Sequence, residues 1–267
     1  MTIRRACLSL LAAAVLSAQS APTEFKTPVL RPGEGFAFAT GHGETQILGE
    51  ARKEAPMGSL ALLVWMQMEG TDWATQDFRF KCTGKMGPFT CSKPGGHGKV
   101  DLPKALAEDC SLAFLFLIAQ SQTRWKADYG EDAAWARMEA VFAPFLGRRL
   151  PRTNALPPMG PAWVGDGDLL RTSPEAFLQW LMEPEQSGVL TFGRRFLSGT
   201  WVDFKNLMGK EDWWFKTATV AVAGEPAATS AWVVGGRGEA LAVLHLSRGR
   251  GPQEGMVRMG EILGLKH

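Results

Sequence analysis

The sequence has no run of like charge. Its 29 Lys and Arg against 27 Asp and Glu leave a net charge of +2. No long basic stretch stands out, which argues against nucleic acid as a partner. There is no P-loop and no dinucleotide fingerprint, so no nucleotide cofactor is expected. No internal repeat and no low-complexity segment is present. Long apolar runs are also missing. Leu112 to Ala119 is apolar but covers only about two helical turns, and a bilayer-spanning helix needs ~20 residues.

What remains is 267 residues with 45% hydrophobic content, enough for one large domain or two small ones. Arg4 and Arg5 precede an apolar run from Leu8 to Leu16, and Ala18-Gln19-Ser20 offers a small-x-small cleavage site. This reads as a signal peptide over residues 1–20, with no membrane span after its removal and a periplasmic or secreted destination. Residues 21–34 form a Pro-rich leader, and residues 35–267 are expected to fold as a single domain. Cys7 precedes the apolar run, so it is not a lipoprotein cysteine. Cys82, Cys91 and Cys110 remain. In an oxidising compartment Cys82 and Cys91 would close a short disulfide loop, leaving Cys110 free and buried. A zinc site from Cys82, Cys91 and His97 fits no standard spacing and ranks below that disulfide, so no metal is expected.

Phe36 to Thr40 alternates, Gly41-His42-Gly43 turns, and Thr45 to Leu48 extends again, which predicts a hairpin with a solvated His42. Pro56-Met57-Gly58-Ser59 leads into a run from Leu60 to Glu69 that is apolar all round, as in a buried central helix. Phe78 to Cys82 reads as a strand before a glycine-rich loop. Asp101 caps a helix with Pro103 in its first turn. Glu131 to Phe145 is amphipathic. Gly147 to Pro161, with Arg148, Arg149 and Arg152, reads as a surface loop. Ser173 and Pro174 open a helix to Met182, and Leu190 to Met208 carries helix or irregular structure. Phe215 to Val222 and Ala231 to Val234 form a second hairpin, and Glu239 to Ser247 adds a strand on which His245 is expected to face outward. Gly251-Pro252 starts a helix to Leu265. The ten Trp residues read as core and cleft walls.

Several of these segments resemble, in order, the motifs of the penicillin-binding transpeptidases and serine β-lactamases. Lys216-Thr217-Ala218-Thr219 resembles their Lys-Thr-Gly-Thr strand, and Trp232-Val233-Val234-Gly235 the Trp-Phe-Val-Gly of the strand after it. Ser59 stands where the family's nucleophile opens a helix. Cys82-Thr83-Gly84, Cys91 and His97-Gly98 look like a Cys-x-Gly, Cys, His-Gly segment of many transpeptidases. Ala105-Leu106-Ala107-Glu108-Asp109-Cys110-Ser111 fits the frame around Ser-x-Asn. Val164-Gly165-Asp166-Gly167 to Ser173-Pro174 resembles a further element between the second and third motifs.

The resemblance implies an α+β fold: a central antiparallel sheet of about five strands, terminal helices on one face and a helical subdomain on the other. It implies Ser59 as an acylated nucleophile, Asp109, Ser111, Lys216 and Thr217 in catalytic positions, and Ala218 and Thr219 along the substrate. The ligands implied are a peptidoglycan stem peptide or a β-lactam, with cell-wall synthesis proteins as partners. The departures bear on activity. The family has Lys three residues after the serine, side by side with it on the helix, to take its proton; here that residue is Leu62. Asp109 replaces a serine, Ser111 an asparagine and Ala218 a glycine. The expectation is a transpeptidase-like domain with impaired catalysis. Two alternatives stand beside it. One is an atypical acyl-enzyme using Lys216 or Lys53 as base for Ser59; the other is an unrelated secreted interaction domain.

Overall fold

The computed structural model describes residues 27–40, 44–91, 93–146, 160–183, 213–222, 225–249 and 251–265. The signal peptide, residues 21–26 of the leader, the His42 turn, the Arg148–Arg152 loop and the Leu190–Met208 segment lie outside the described residues.

Five strands form the main sheet: β1 (Glu34–Ala39), β2 (Thr45–Gly49), β9 (Trp214–Val222), β10 (Glu225–Arg237) and β11 (Ala240–Leu246), in the order β2-β1-β11-β10-β9 and antiparallel throughout. The N-terminal hairpin therefore pairs with the last strand, and β9 lies at an edge. Alternation along each strand assigns its side chains to two faces. Phe36, Phe38, Phe215, Val233 and Leu244 meet Met256, Met259 and Ile262 of the C-terminal helix α6 (Pro252–Leu263). On the opposite face Ala37, Ala39, Trp232, Val234 and Val243 pack into a larger core with the helices that follow β2. Because both faces are covered, β11 is apolar almost throughout, unlike an antiparallel sheet with one wet face.

The second layer begins with a short bridge between β3 (Ala55–Pro56) and β8 (Arg171–Thr172), then a 3-10 turn at Gly58–Leu60 running into α1 (Ala61–Thr75). Leu60 to Met66 are all buried, as the uninterrupted apolar run predicts. Around α1 stand α3 (Ser111–Tyr129) and α4 (Glu131–Phe142), while α5 (Pro174–Met182) lies on β1 and β11. Trp65 is the hub, with ring centroids 6.4 Å from Trp73, 6.3 Å from Trp125 and 5.1 Å from Phe142; its indole N–H donates to the Trp163 carbonyl at 2.7 Å. These tryptophans are core. The only acidic side chain buried in this layer among the described residues is Glu69, paired with Arg124 and bonded by the Ser121 hydroxyl at 2.8 Å.

His245 does not face outward. Both faces of the sheet are covered, so neither side of β11 is wet. The ring lies 4.3 Å from the Trp232 ring and is 3% exposed. Burial pushes its pKa down to about 4, which keeps it neutral. No helix among the described residues is long and apolar enough to cross a membrane.

Candidate functional site

The turn before α1 lies against the edge strand. Gly58 has φ +57, and a Cβ there would come within 2.7 Å of Val220 and 3.2 Å of Ala218; only glycine supplies both the left-handed backbone and the closeness. Gly165, from the Gly-Asp-Gly segment, touches the same backbone from the other side. Ser59 is thereby set over β9. Its hydroxyl donates to the Thr217 carbonyl at 3.2 Å and accepts from Lys216 Nζ at 3.1 Å.

Lys216 is 2% exposed. Its Nζ has three acceptors: the Ser59 hydroxyl at 3.1 Å, the Thr217 carbonyl at 2.6 Å and the Asp109 carboxylate. An ammonium has three N–H donors and no lone pair, so this shell fits the charged form completely. A neutral amine would have to accept a proton from Ser59, whose hydroxyl instead points to a carbonyl. Leu62, where the base would stand, is 1% exposed and belongs to the hydrophobic core. The arrangement places the Lys216 amine beside Ser59, while the position three residues after Ser59 carries no base. Lys53, the other candidate base, pairs with Glu50 at 2.8 Å on the surface.

Asp109 reaches Lys216 from a sharp corner. Helix α2 (Leu102–Ala107) is capped at its start by Asp101, whose carboxylate accepts from Lys104 N–H at 2.9 Å. It ends in a Schellman-type turn: Cys110 N–H donates to the Ala105 carbonyl at 2.9 Å, with Asp109 left-handed at φ +52. Glycine usually occupies that position, and aspartate is among the few residues that tolerate it. The corner turns the chain into α3 and aims the carboxylate at the ammonium. Of the remaining expected residues, Thr217 joins the site through its carbonyl, Ala218 is buried against Gly58, and Thr219 is exposed along the edge strand. Ser111 opens α3 two residues after Asp109; its N–H donates to the Asp109 carbonyl at 2.9 Å, and its hydroxyl has no part in the bonds around Lys216.

Behind the corner lies a second cluster, and it corrects the disulfide reading. Cys82 and Cys91 are not joined; Cys82, Cys91 and Cys110 are all free thiols. With His97 they form one group whose ligand atoms lie within 4.8 Å of one another. The chain brings them together with two short hairpins. Strand β4 (Phe80–Cys82) pairs with β7 (Gly98–Val100), and β5 (Lys85–Met86) with β6 (Phe89–Thr90). Gly96, at φ +82, lets the loop close over the backbone of Cys82 and Gly84. His97 Nδ1 lies 3.3 Å from Cys91 Sγ, and its Nε2 lies 3.0 Å from the Glu108 carbonyl. That carbonyl can only accept, so Nε2 carries the proton and Nδ1 presents its lone pair to the thiols. Burial works against the Cys82 thiolate, but the His97 ring beside it, the His97 and Gly84 N–H groups and the Cys110 thiol outweigh it and bring the group to about 6. Burial pushes the Cys110 thiol up. Three sulfurs and an imidazole nitrogen whose other N–H is held by a backbone carbonyl are the donors and the outer partner that tetrahedral zinc takes. Sequence spacing missed the set because its fourth member, Cys110, comes from the next helix corner. The signal was the run Cys-x-Gly, Cys, His-Gly, then Cys.

No family model matches the sequence, and no curated protein sequence matches it. Solved structures do. PBP2 of Pseudomonas aeruginosa aligns with a TM-score of 0.57 at 11% identity, covering 87% of this chain and 73% of that one. The penicillin-binding protein PonA1 of Mycobacterium tuberculosis gives 0.57 at 11% identity, over 87% and 75%. PBP2 of Helicobacter pylori gives 0.59 at 13% identity, over 86% of this chain and 60% of that one. The fold is that of a penicillin-binding transpeptidase domain. In this penicillin-binding-protein fold, the segments that resembled its motifs in sequence, Ser59, Asp109 and Lys216, converge on one point.

Proposed function

We propose that this chain is a periplasmic penicillin-binding-protein-like domain that has lost acyl-enzyme chemistry and serves as a binding or scaffold module in cell-wall synthesis. The observation that carries the reading is the complete acceptor shell of Lys216. Its carboxylate member, Asp109, pairs with the amine, and the base position three residues after Ser59 is a core leucine. The periplasmic placement rests on the N-terminal Arg-Arg, apolar run and small-x-small site. Two neighbours in fold were solved in assemblies, PBP2 of Helicobacter pylori with MreC and a peptidoglycan synthase complex. Proteins of that kind, and the peptidoglycan stem peptide, are the ligands this reading puts first.

A second reading is favoured by one distance. Lys216 Nζ is 3.1 Å from Ser59 Oγ, within reach for proton transfer if the amine were neutral. The intact mass of the purified chain after incubation with excess penicillin separates the two. The silent domain shows no adduct while remaining folded by circular dichroism. An adduct of one penicillin that is absent from Ser59→Ala would overturn the silent reading and establish Ser59 as a working nucleophile.

A further inference from the structure

The two clusters share a corner. Asp109, which grips Lys216, is followed directly by Cys110, which faces Cys82, Cys91 and His97. The peptide between them sits in the left-handed turn at φ +52, a conformation a non-glycine residue keeps only where its surroundings impose it. Some of that is imposed by hydrogen bonds: Cys110 N–H to Ala105, and Ser111 N–H to Asp109. The rest of the holding falls on the sulfur side. Cys110 is 0% exposed and Cys82 1%, and their layer is a small one. It consists of the three-residue strands β4 and β7, the two-residue strands β5 and β6, and a glycine-rich loop. Elements this short do not hold a fixed geometry by their own ladders. A four-donor cluster in such a layer is the usual place for a structural ion to supply the missing rigidity.

We propose that a zinc ion held by Cys82, Cys91, His97 and Cys110 pins the α2–α3 corner, so that the grip of Asp109 on Lys216 depends on the metal. Three thiolates and a neutral imidazole, with His97 bound through Nδ1 and its Nε2–H donating to Glu108, complete a tetrahedron around the ion and leave no open position. The site is therefore structural, not catalytic. Zinc–sulfur bonds of ~2.3 Å draw the four donors inward from their present spread, and the only one of them joined directly to the Lys216 cleft is Cys110. Losing the ion frees Cys110, lets the left-handed turn relax and withdraws the carboxylate from the ammonium. The inference does not rest on whether Ser59 reacts; it concerns what fixes Asp109, and it stands or falls separately from the silent-domain reading.

The test uses the purified full chain. Elemental analysis should give one zinc per chain. Replacement by cobalt should give the thiolate charge-transfer band and strong visible bands of a tetrahedral sulfur-rich site, both lost in Cys91→Ser. Cys91 is the least buried of the three thiols, and stripping the wild type with a chelator gives the same comparison if that variant fails to fold. The coupling is read by acylation of lysine amines and peptide mass mapping. Lys216 should be protected with zinc bound and labelled several-fold faster after stripping, with protection restored when zinc alone is returned. Asp109→Asn should keep its zinc yet expose Lys216 to labelling. A chain without zinc whose thiols count as a disulfide overturns the proposal. So does a zinc-loaded chain in which stripping leaves Lys216 protected, or in which Asp109→Asn does. Labelling that rises only together with loss of the near-ultraviolet tryptophan signal reports global unfolding and overturns the local pin.

Discussion

Arg258 and Lys216 are both buried cations matched by a carboxylate, and they do different things. Arg258 joins the start of β1 to α6. It donates from Nε and Nη2 to the two oxygens of Glu34, both at 2.8 Å, from Nη1 to Glu261 at 2.8 Å and from Nη2 to the Val29 carbonyl at 2.6 Å. This is a planar fork on a planar carboxylate, far from the cleft and built for holding. Lys216 presents a point charge to one carboxylate, one carbonyl and one hydroxyl, and that hydroxyl belongs to the residue standing where a nucleophile would. The same physics that fastens the terminal helix here holds a lysine beside Ser59.

The comparison predicts unequal losses. Removing Arg258 leaves Glu34 buried without its fork, and breaking a buried pair from one side costs about 3–5 kcal/mol. Arg258→Ala should lose about that much in urea unfolding, and Arg258→Lys should recover only part, because an ammonium cannot make the two parallel bonds. The pH dependence has a definite sign. Burial acts to raise the Glu34 pKa, but the Arg258 hydrogen bonds and the Arg31 N–H outweigh it and hold the carboxyl below its ordinary value of 4.5. A depressed carboxyl contributes stability that is present above pH 4.5 and lost as pH falls through the lowered folded value. In Arg258→Ala that acid-side loss should shrink.

His245 shows the other way to bury a titratable group, which is to keep it neutral. Its pKa falls from 6.5 to about 4 because burial opposes the charge; nearby Glu50 and Lys53 act on it in opposite directions. Between those values the unfolded chain binds a proton that the folded chain does not, so stability should fall as pH drops from about 6.5 towards 4 and level off below. The full difference is at most about 3 kcal/mol. His245→Phe, which keeps a ring beside Trp232, should flatten the urea midpoint across that window while leaving the Glu34 limb in place. An unchanged slope would show that the ring is charged when buried.

Asp109→Asn should cost less than Arg258→Ala, about 1–3 kcal/mol, because its carboxylate is 35% exposed and water replaces part of what is lost. Adding Lys216→Met should return most of that loss, since a buried pair removed together leaves no orphaned charge. If the double variant is worse than either single one, Lys216 is held by its carbonyl and hydroxyl partners more than by Asp109, and the contrast with Arg258 weakens.

Much of the fold was legible in the sequence for a physical reason. The strand pairs β1–β2 and β9–β10 alternate or carry β-branched runs with turn residues between them, and α5 begins at the Ser173-Pro174 signal the sequence displays. Of the site, Ser59 and Lys216 could be read because each sits in a local pattern. Their meeting 3.1 Å apart, across 157 positions of chain, was implied only by the resemblance, since no local pattern sets it. His245 was misread for the same kind of reason. A lone polar residue on a strand suggests a wet face, but α6 on one side and the helical layer on the other leave β11 none. The disulfide was misread because pairing two cysteines nearby in sequence ignores a third that the Asp109 corner brings in from the next helix.

The smallest effect sharpens the comparison at the level of single caps. Asp101 and Ser173 do the same work at two helix starts, one accepting from Lys104 N–H at 2.9 Å and the other from Ala176 N–H at 3.2 Å. Each should cost about 1 kcal/mol when changed to Ala, with Asp101 the larger because a charged acceptor is stronger and also faces the helix dipole. The more telling difference lies in where the loss appears. Helix α5 packs on β1 and β11, so Ser173→Ala should lower global stability and little else. Helix α2 is six residues long and carries the Asp109 corner at its far end. Asp101→Ala should therefore speed amide exchange at Cys110 and Ser111 out of proportion to the global loss. Equal local and global effects for both caps would show that the corner is held by its surroundings and not by the helix that leads into it.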